Sequence, residues 1–251
     1  MFYSHSASEK GSKSPQNEDF VLTPQEIKSL NSDLLNKKGY LFVLCDGMGG
    51  YAAGETASNL CANYLLRNYY KNSGKNPVSL ISELIEKINK KIIYLGKKYP
   101  EYYKMGTTLS SLLLFNDKAQ TLNVGDSRIY LFDQENLSQI TSDDSVIWEY
   151  FEQGIISKEQ MLTHPLKNLL TRAVGLDAPL ILSPETLELP EKFLFTITSD
   201  GLTDVTSDQE IAAVLKETVS LQNCSDNLIK LARHNNSIDD VSIILVSNYL
   251  K

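Results

Sequence analysis

"LFVLCDGMGGYAAGETAS" (residues 41–58) joins an apolar run, an acid, a cluster of glycines and a segment with helical spacing. Two readings compete for it. Gly47-Met48-Gly49-Gly50-Tyr51-Ala52, set between a strand and a helix, fits the G-x-G-x-x-A form of a dinucleotide-binding turn. Two mismatches weigh against that reading. Asp46 stands where a pyrophosphate would approach, and the region about 20 residues on, where the motif wants an acid closing a second strand, is the helical "LRNYYK". In the second reading Asp46 is a metal ligand. A carboxylate at a strand end bridges hard cations well, and glycines let carbonyl oxygens and water crowd in beside it.

A divalent ion takes about six oxygens, so one aspartate is not enough and further acids should stand at other strand ends. Glu18 and Asp19 do so in "QNEDF", Asp126 in "NVGDSRIY", Asp200 and Asp204 in "TITSDGLTD", and Asp239 and Asp240 in "SIDDVSIILV". Any one of these is ordinary turn chemistry; their recurrence beside apolar runs is not. An EF-hand is excluded, because no D-x-D-x-D-G spacing with a glutamate at loop position twelve occurs.

The rest of the chain sets limits. At 251 residues a single domain, 1–251, is the simplest organisation. A formal charge of −7 disfavours nonspecific nucleic-acid or anionic-membrane partners. Cys45, Cys61 and Cys224 are widely spaced with no C-x-x-C pair, which suits a reducing compartment. The start lacks a basic segment followed by an apolar one, and no apolar run approaches the roughly 20 residues of a membrane span. A cytoplasmic monomer is expected, with export by a route lacking a cleavable signal left open.

Strands are expected at 41–45, 107–115, 119–125, 128–132, 192–198 and 241–247, the three from 107 to 132 forming an antiparallel meander that turns at Asn116-Asp117 and at Gly125. Helical spacing marks 54–71, 78–98, 210–219 and 225–235, the last capped by Ser225 or Asp226. Residues 141–177 read as a flap insertion with two short helical pieces, punctuated by Gly154, Pro165 and Gly175. His5, His164 and His234 lack metal spacing, and "YPEYY" (99–103) reads as a helix end and its loop.

The ordered series "NEDF", "LCDGMGGYAAGETAS", "MGTTLSSLLL", "NVGDSRIYLF", "HPLKNLLTRAVG", "FLFTITSDGLTD" and "DDVSIILV" resembles the PPM family of metal-dependent serine/threonine protein phosphatases, the type 2C class, over nearly the full length. It is closest to the bacterial branch, because Met48 stands where many eukaryotic members have a histidine. The resemblance implies an α+β fold, a four-layer α-β-β-α sandwich of two antiparallel sheets flanked by helix pairs, with two Mn²⁺ or Mg²⁺ ions at one sheet edge. By match to the motifs, Asp46 bridges both ions, Asp200 and Asp239 complete the first, and Glu18 with the Gly47 carbonyl completes the second. Asp19 holds bound water from behind, and Asp126 with Asp200 takes a third, weaker ion near Asp204. Oxygen ligands select Mg²⁺ or Mn²⁺ over zinc, and paired ions generate hydroxide from a bridging water near neutral pH. Asp46 and Asp19 are thus the expected catalytic acids, a phosphorylated protein the expected partner, and a serine/threonine kinase or its targets a further one.

Members of this family usually carry an arginine three positions before the Asn of "NED", to clamp the substrate phosphate; here that position is Ser14. Strand alternation turns the neighbouring Lys13 to the opposite face, and Lys10, of the right parity, lies about 13 Å away along an extended chain. An active enzyme with weak phosphate affinity is expected, against the alternative of a pseudophosphatase that binds phosphoproteins as a regulatory module. Asp144 replaces a histidine common in related bacterial sequences, and Arg172 is expected to anchor the flap.

Overall fold

In the computed structural model, which describes residues 2–27, 30–49, 53–72, 76–177 and 180–250, the strand that carries Asp46 is buried on both faces, and this sets the layering. In chain order the elements are β1 (Tyr3–Glu9), β2 (Asp19–Leu22), α1 (Ser32–Lys38), β3 (Tyr40–Met48), α2 (Ala53–Lys71), α3 (Pro77–Lys98), β4 (Gly106–Thr107), β5 (Leu109–Phe115), β6 (Lys118–Val124) and β7 (Arg128–Phe132). There follow β8 (Leu137–Gln139), α4 (Val146–Glu152), α5 (Lys158–Met161), β9 (Glu185–Glu188), β10 (Leu194–Thr198), α6 (Asp200–Thr203), α7 (Asp208–Glu217), α8 (Leu221–His234) and β11 (Val241–Ser247). One sheet runs β1-β11-β10-β7-β8 and the other β2-β3-β5-β6-β9, with β4 also on β3. The pairings are antiparallel.

Alternation within single strands produces the layers. Leu41, Val43 and Cys45 of β3 face α2 and α3, whereas Phe42 and Leu44 face the second sheet and meet Phe195, Ile197 and Ile244. On the far side Leu194, Val241, Ile243 and Leu245 pack against α7 and α8 through Ile211, Leu215 and Leu228. Three apolar interfaces therefore separate four layers, as the family resemblance implies. Burying each such Leu, Ile or Phe contributes about 1.5–3 kcal/mol, which is why continuous apolar strands are retained in the middle two layers.

The helix ends are fixed locally. Asn76 caps α3 by accepting from Val78 N at 2.9 Å, with Pro77 at the first helical position. Lys38 closes α2 by donating to Tyr69 O at 2.9 Å and to Asn72 O. Ser207 and Glu210 form a reciprocal capping box on α7.

Four sequence expectations are corrected. The meander stops after its second strand: β5 pairs with β6, but β7 pairs with β8 and β10 in the other sheet. Gly125, at φ +104°, turns the chain across the sandwich instead of back along it. The strand at 41–45 continues through Met48, so Asp46 and Gly47 are strand residues; Gly47 pairs with Thr107 and Met48 with Gly106. Gly50, Tyr51 and Ala52 of the glycine motif lie outside the described residues. Finally, α8 is capped by Ser220, and Ser225 is buried within the helix, donating to Gln222 O, because the apolar face already begins at Leu221.

Candidate metal centre

Antiparallel register brings distant acids to one end of the sandwich. Asp19, first in β2, lies directly across from Asp46 in β3. Asp126 sits in the crossover between β6 and β7, Asp200 opens α6 just after β10, and Asp239 precedes β11, the strand beside β10. Glu18, Asp46, Gly47, Asp126, Asp200 and Asp239 all line one pocket of about 390 Å³. Among the described residues no three acidic side chains close on a single point. Like charges facing one another hold them apart.

The supports of these side chains are specific. Asp46 N donates to Thr108 Oγ1 at 2.9 Å, and its carbonyl accepts from Thr107 Oγ1 and Thr108 N, each at 2.8 Å. Asp240 accepts from Gly11 N at 2.8 Å and from Glu18 N at 2.7 Å, locking the approach to β2 against the start of β11. Asp19 is buried behind Asp46 and accepts from Ser199 Oγ at 2.7 Å. Asp204 lies close enough to Asp126 and Asp200 to raise both their pKa values, and pairs with Lys167 at 2.9 Å.

Burial first, and neighbouring carboxylates after it, raise the carboxyl pKa values of Asp46, Asp200, Asp126 and Asp19. Asp46 is pushed well up, with Asp19, Asp200 and Asp126 adding to desolvation; Asp200 is pushed up by desolvation, Asp126 and Asp204. Desolvation carries Asp126 to about 7, aided by Asp143 and Asp204. Asp19 also reaches about 7, desolvation outweighing its bond from Ser199. Such a cluster is short of positive charge.

The residues fit a pair of hard cations. Glu18 Oε1 is buried without a hydrogen-bond partner. A Cβ on Gly54 would stand 2.3 Å from that oxygen, and one on Gly47 would stand 2.2 Å from Gly54 O and 2.6 Å from Glu18 O. The chain therefore closes to glycine contact around oxygens of the kind Mg²⁺ and Mn²⁺ take.

Lys13 overturns the alternation argument. β1 ends at Glu9, and Ser12 N and Lys13 N both donate to Ile238 O, at 2.8 and 2.9 Å, so the backbone there is bent rather than extended. Lys13 consequently points into the pocket, its Nζ 2.5 Å from Asp239 Oδ2. Burial opposes its charge, but Asp239, Asp200 and Asp46 hold the ammonium pKa above its ordinary value. Ser14, beside it, bonds the Glu18 carboxylate. Asp240 is the other residue whose role sequence reasoning missed; its signal was adjacency to Asp239.

The 141–177 segment supplies Asn168, Leu169 and Leu170 to the pocket wall. Asp144 ties its start to its end: Gly125 N donates to Asp144 Oδ2 at 3.1 Å and Arg172 Nε to Asp144 Oδ1 at 2.8 Å. Arg128 holds Asp143 through both Nε and Nη2, the latter at 2.7 Å, and lies over the Trp148 ring at 6.0 Å.

Known proteins resemble this chain in sequence and fold. The family pattern described as protein phosphatase 2C matches residues 3–146. Protein phosphatase PhpP of Streptococcus pneumoniae is 30% identical over 242 residues, covering 94% of this chain and 94% of the relative. The crystal structure of serine/threonine phosphatase Stp1 from Staphylococcus aureus superposes with a TM-score of 0.89 at 30% identity, covering 98% of this chain and 95% of that one. The catalytic domain of the serine/threonine protein phosphatase PstP, in complex with two manganese ions, superposes with a TM-score of 0.82 at 27% identity, covering 98% and 97%. On the match across more than half its length and these full-length likenesses, the chain belongs to the protein phosphatase 2C family.

Proposed function

We propose that this chain hydrolyses the phosphate esters of phosphoserine and phosphothreonine in proteins, with two Mn²⁺ or Mg²⁺ ions as cofactors. The observation that carries the reading is one pocket lined by acids from five separate chain segments. Asp46 would bridge the two ions, Asp200 and Asp239 complete one, Glu18 and the Gly47 carbonyl complete the other, and Asp126 with Asp200 offer a weaker third position. Bound there, the cations supply Lewis acidity that activates water and neutralises charge on the phosphoryl oxygens.

The protein's own contribution is positional. Thr107 and Thr108 fix the Asp46 backbone, Asp240 fixes that of Glu18, and Ser199 orients Asp19 behind Asp46. Lys13 brings a cationic head to the substrate phosphate, as a point charge where the family's arginine would present a fork. Met48 lines the pocket without a proton to give, so the leaving oxygen takes its proton from water. No observation favours the pseudophosphatase alternative, and the acids that line one pocket support the enzyme.

Three free, buried cysteines support a reducing, cytoplasmic setting, and among the described residues no helix is long and apolar enough to cross a membrane. Targets of a serine/threonine kinase, met by a monomeric single-domain enzyme whose 141–177 segment acts as a flap, complete the proposal. Hydrolysis of p-nitrophenyl phosphate and of a phosphothreonine peptide, with Mn²⁺ and with EDTA, tests it. Turnover should require the metal and vanish in Asp46→Asn; turnover absent with Mn²⁺, or indifferent to EDTA, overturns the reading.

A further inference from the structure

Residues 90–104, "KKIIYLGKKYPEYYK", hold five lysines against one acid in a chain whose net charge is −7. The end of α3 and the turn after it carry this charge. Lys97 and Lys98 complement the C-terminal end of the helix dipole, but Lys104 lies beyond the helix and needs another account. Lys104 adopts φ +57°, uncommon for a residue with a side chain, and its Nζ lies 5.4 Å from the Tyr103 ring. Tyr103 is 65% exposed.

Lys97, Tyr103 and Lys104 line a groove of about 620 Å³ together with Leu176 and Asp177. Gly96 keeps the floor low: a Cβ there would meet Tyr102 O at 3.0 Å. Leu176 lines this groove and the acid-lined pocket alike, so the two are neighbours on the surface. Lys97 already receives a carboxylate, Asp177 Oδ2 at 2.6 Å, in a pair whose side chains are 63% and 73% exposed. A pair so open to water is weak and exchanges readily for another acid.

We infer that this groove binds the segment flanking the phosphorylated residue in the protein substrate, and that it selects flanks rich in aspartate and glutamate. The inference rests on the phosphatase reading above. Charge complementarity and the adjacency of the two cavities at Leu176 carry it; the acidic remainder of the protein disfavours a nucleic acid as the occupant.

The test compares two phosphothreonine peptides that differ only in carrying glutamate or serine at the flanking positions, as a ratio of kcat/KM measured on the same enzyme with saturating Mn²⁺. The wild type should prefer the acidic peptide by about fivefold or more at low salt, and the preference should shrink at high salt. Lys97→Glu combined with Lys104→Glu should erase it, and Asp177→Asn, which frees Lys97, should enlarge it. A ratio near one in the wild type, or one unmoved by these variants, overturns the inference. Turnover of p-nitrophenyl phosphate by the wild type is read in parallel: its loss would sink the phosphatase reading itself, whereas its persistence beside a flat peptide ratio sinks only the groove.

Discussion

Lys13 Nζ lies 2.5 Å from Asp239 Oδ2, and among the described residues lining the pocket it is the one lysine or arginine beside a set of mutually repelling acids. An ammonium in that place has two consequences. It neutralises an acid that a divalent cation would otherwise take, and once displaced it is positioned to meet a phosphate. Lys13→Met should therefore tighten Mn²⁺ binding severalfold by calorimetry, while raising KM for a phosphopeptide about tenfold, the equivalent of about 1.4 kcal/mol, with kcat nearly unchanged. Ser14→Arg should lower KM by restoring a guanidinium fork. Steady-state kinetics with saturating metal check both; a KM indifferent to either change removes Lys13 from phosphate binding.

Gly54 tests the fit of the pocket without touching a ligand. Alanine there places a Cβ 2.3 Å from Glu18 Oε1 and 2.9 Å from the Gly47 carbonyl carbon. Alanine suits a helix, so the fold should survive with a cost of about 1–3 kcal/mol for the overpacking. The Glu18 carboxylate must swing aside, and Mn²⁺ affinity should drop at least about tenfold. Calorimetric titration beside a urea melt separates the two effects.

The raised acids set a pH dependence with a definite sign. Asp19 and Asp126 move from 3.8 to about 7 on folding, by desolvation first and by their acidic neighbours after that. Between those values the folded protein binds protons that the unfolded chain has released, so this contribution to stability is full at low pH and fades as pH rises towards 7. In EDTA the melting temperature should fall as pH goes from about 5 to 8. Saturating Mn²⁺ should flatten or reverse that trend, because deprotonated acids bind the ion more tightly. A metal-free melting temperature that climbs across this range contradicts the assignment.

Asp144 braces the 141–177 segment and the crossover that carries Asp126. It accepts from Gly125 N and from Arg172, while its own N donates to Gly125 O at 2.8 Å. Asp144→Ala removes the charge-assisted bonds and leaves the Gly125 amide unpaired, at a cost of about 2–3 kcal/mol in urea unfolding. Limited proteolysis should then cut within 141–177 faster than in the wild type. Equal cleavage rates would mean that other contacts hold the segment.

The sequence by itself determined which acids stand at strand ends, that apolar strands alternate with long amphipathic helices, and which family the ordered motifs resemble. These are local properties: a strand such as 128–132 or 241–247 is written in its own β-branched and apolar run and matches the folded element residue for residue. Only the tertiary structure decided that β7 joins the opposite sheet from β6, because the turn at Gly125 has two possible destinations and packing on β10 chooses between them. It also decided the direction of Lys13, since the bend at residues 12–13 is imposed by the Ile238 carbonyl, far away along the chain. Asp240 shows the same division. Both it and Asp239 line the pocket, but Asp239 pairs with Lys13 while Asp240 accepts from the Gly11 and Glu18 amides, a difference that depends on the approach to β2 being laid beside β11.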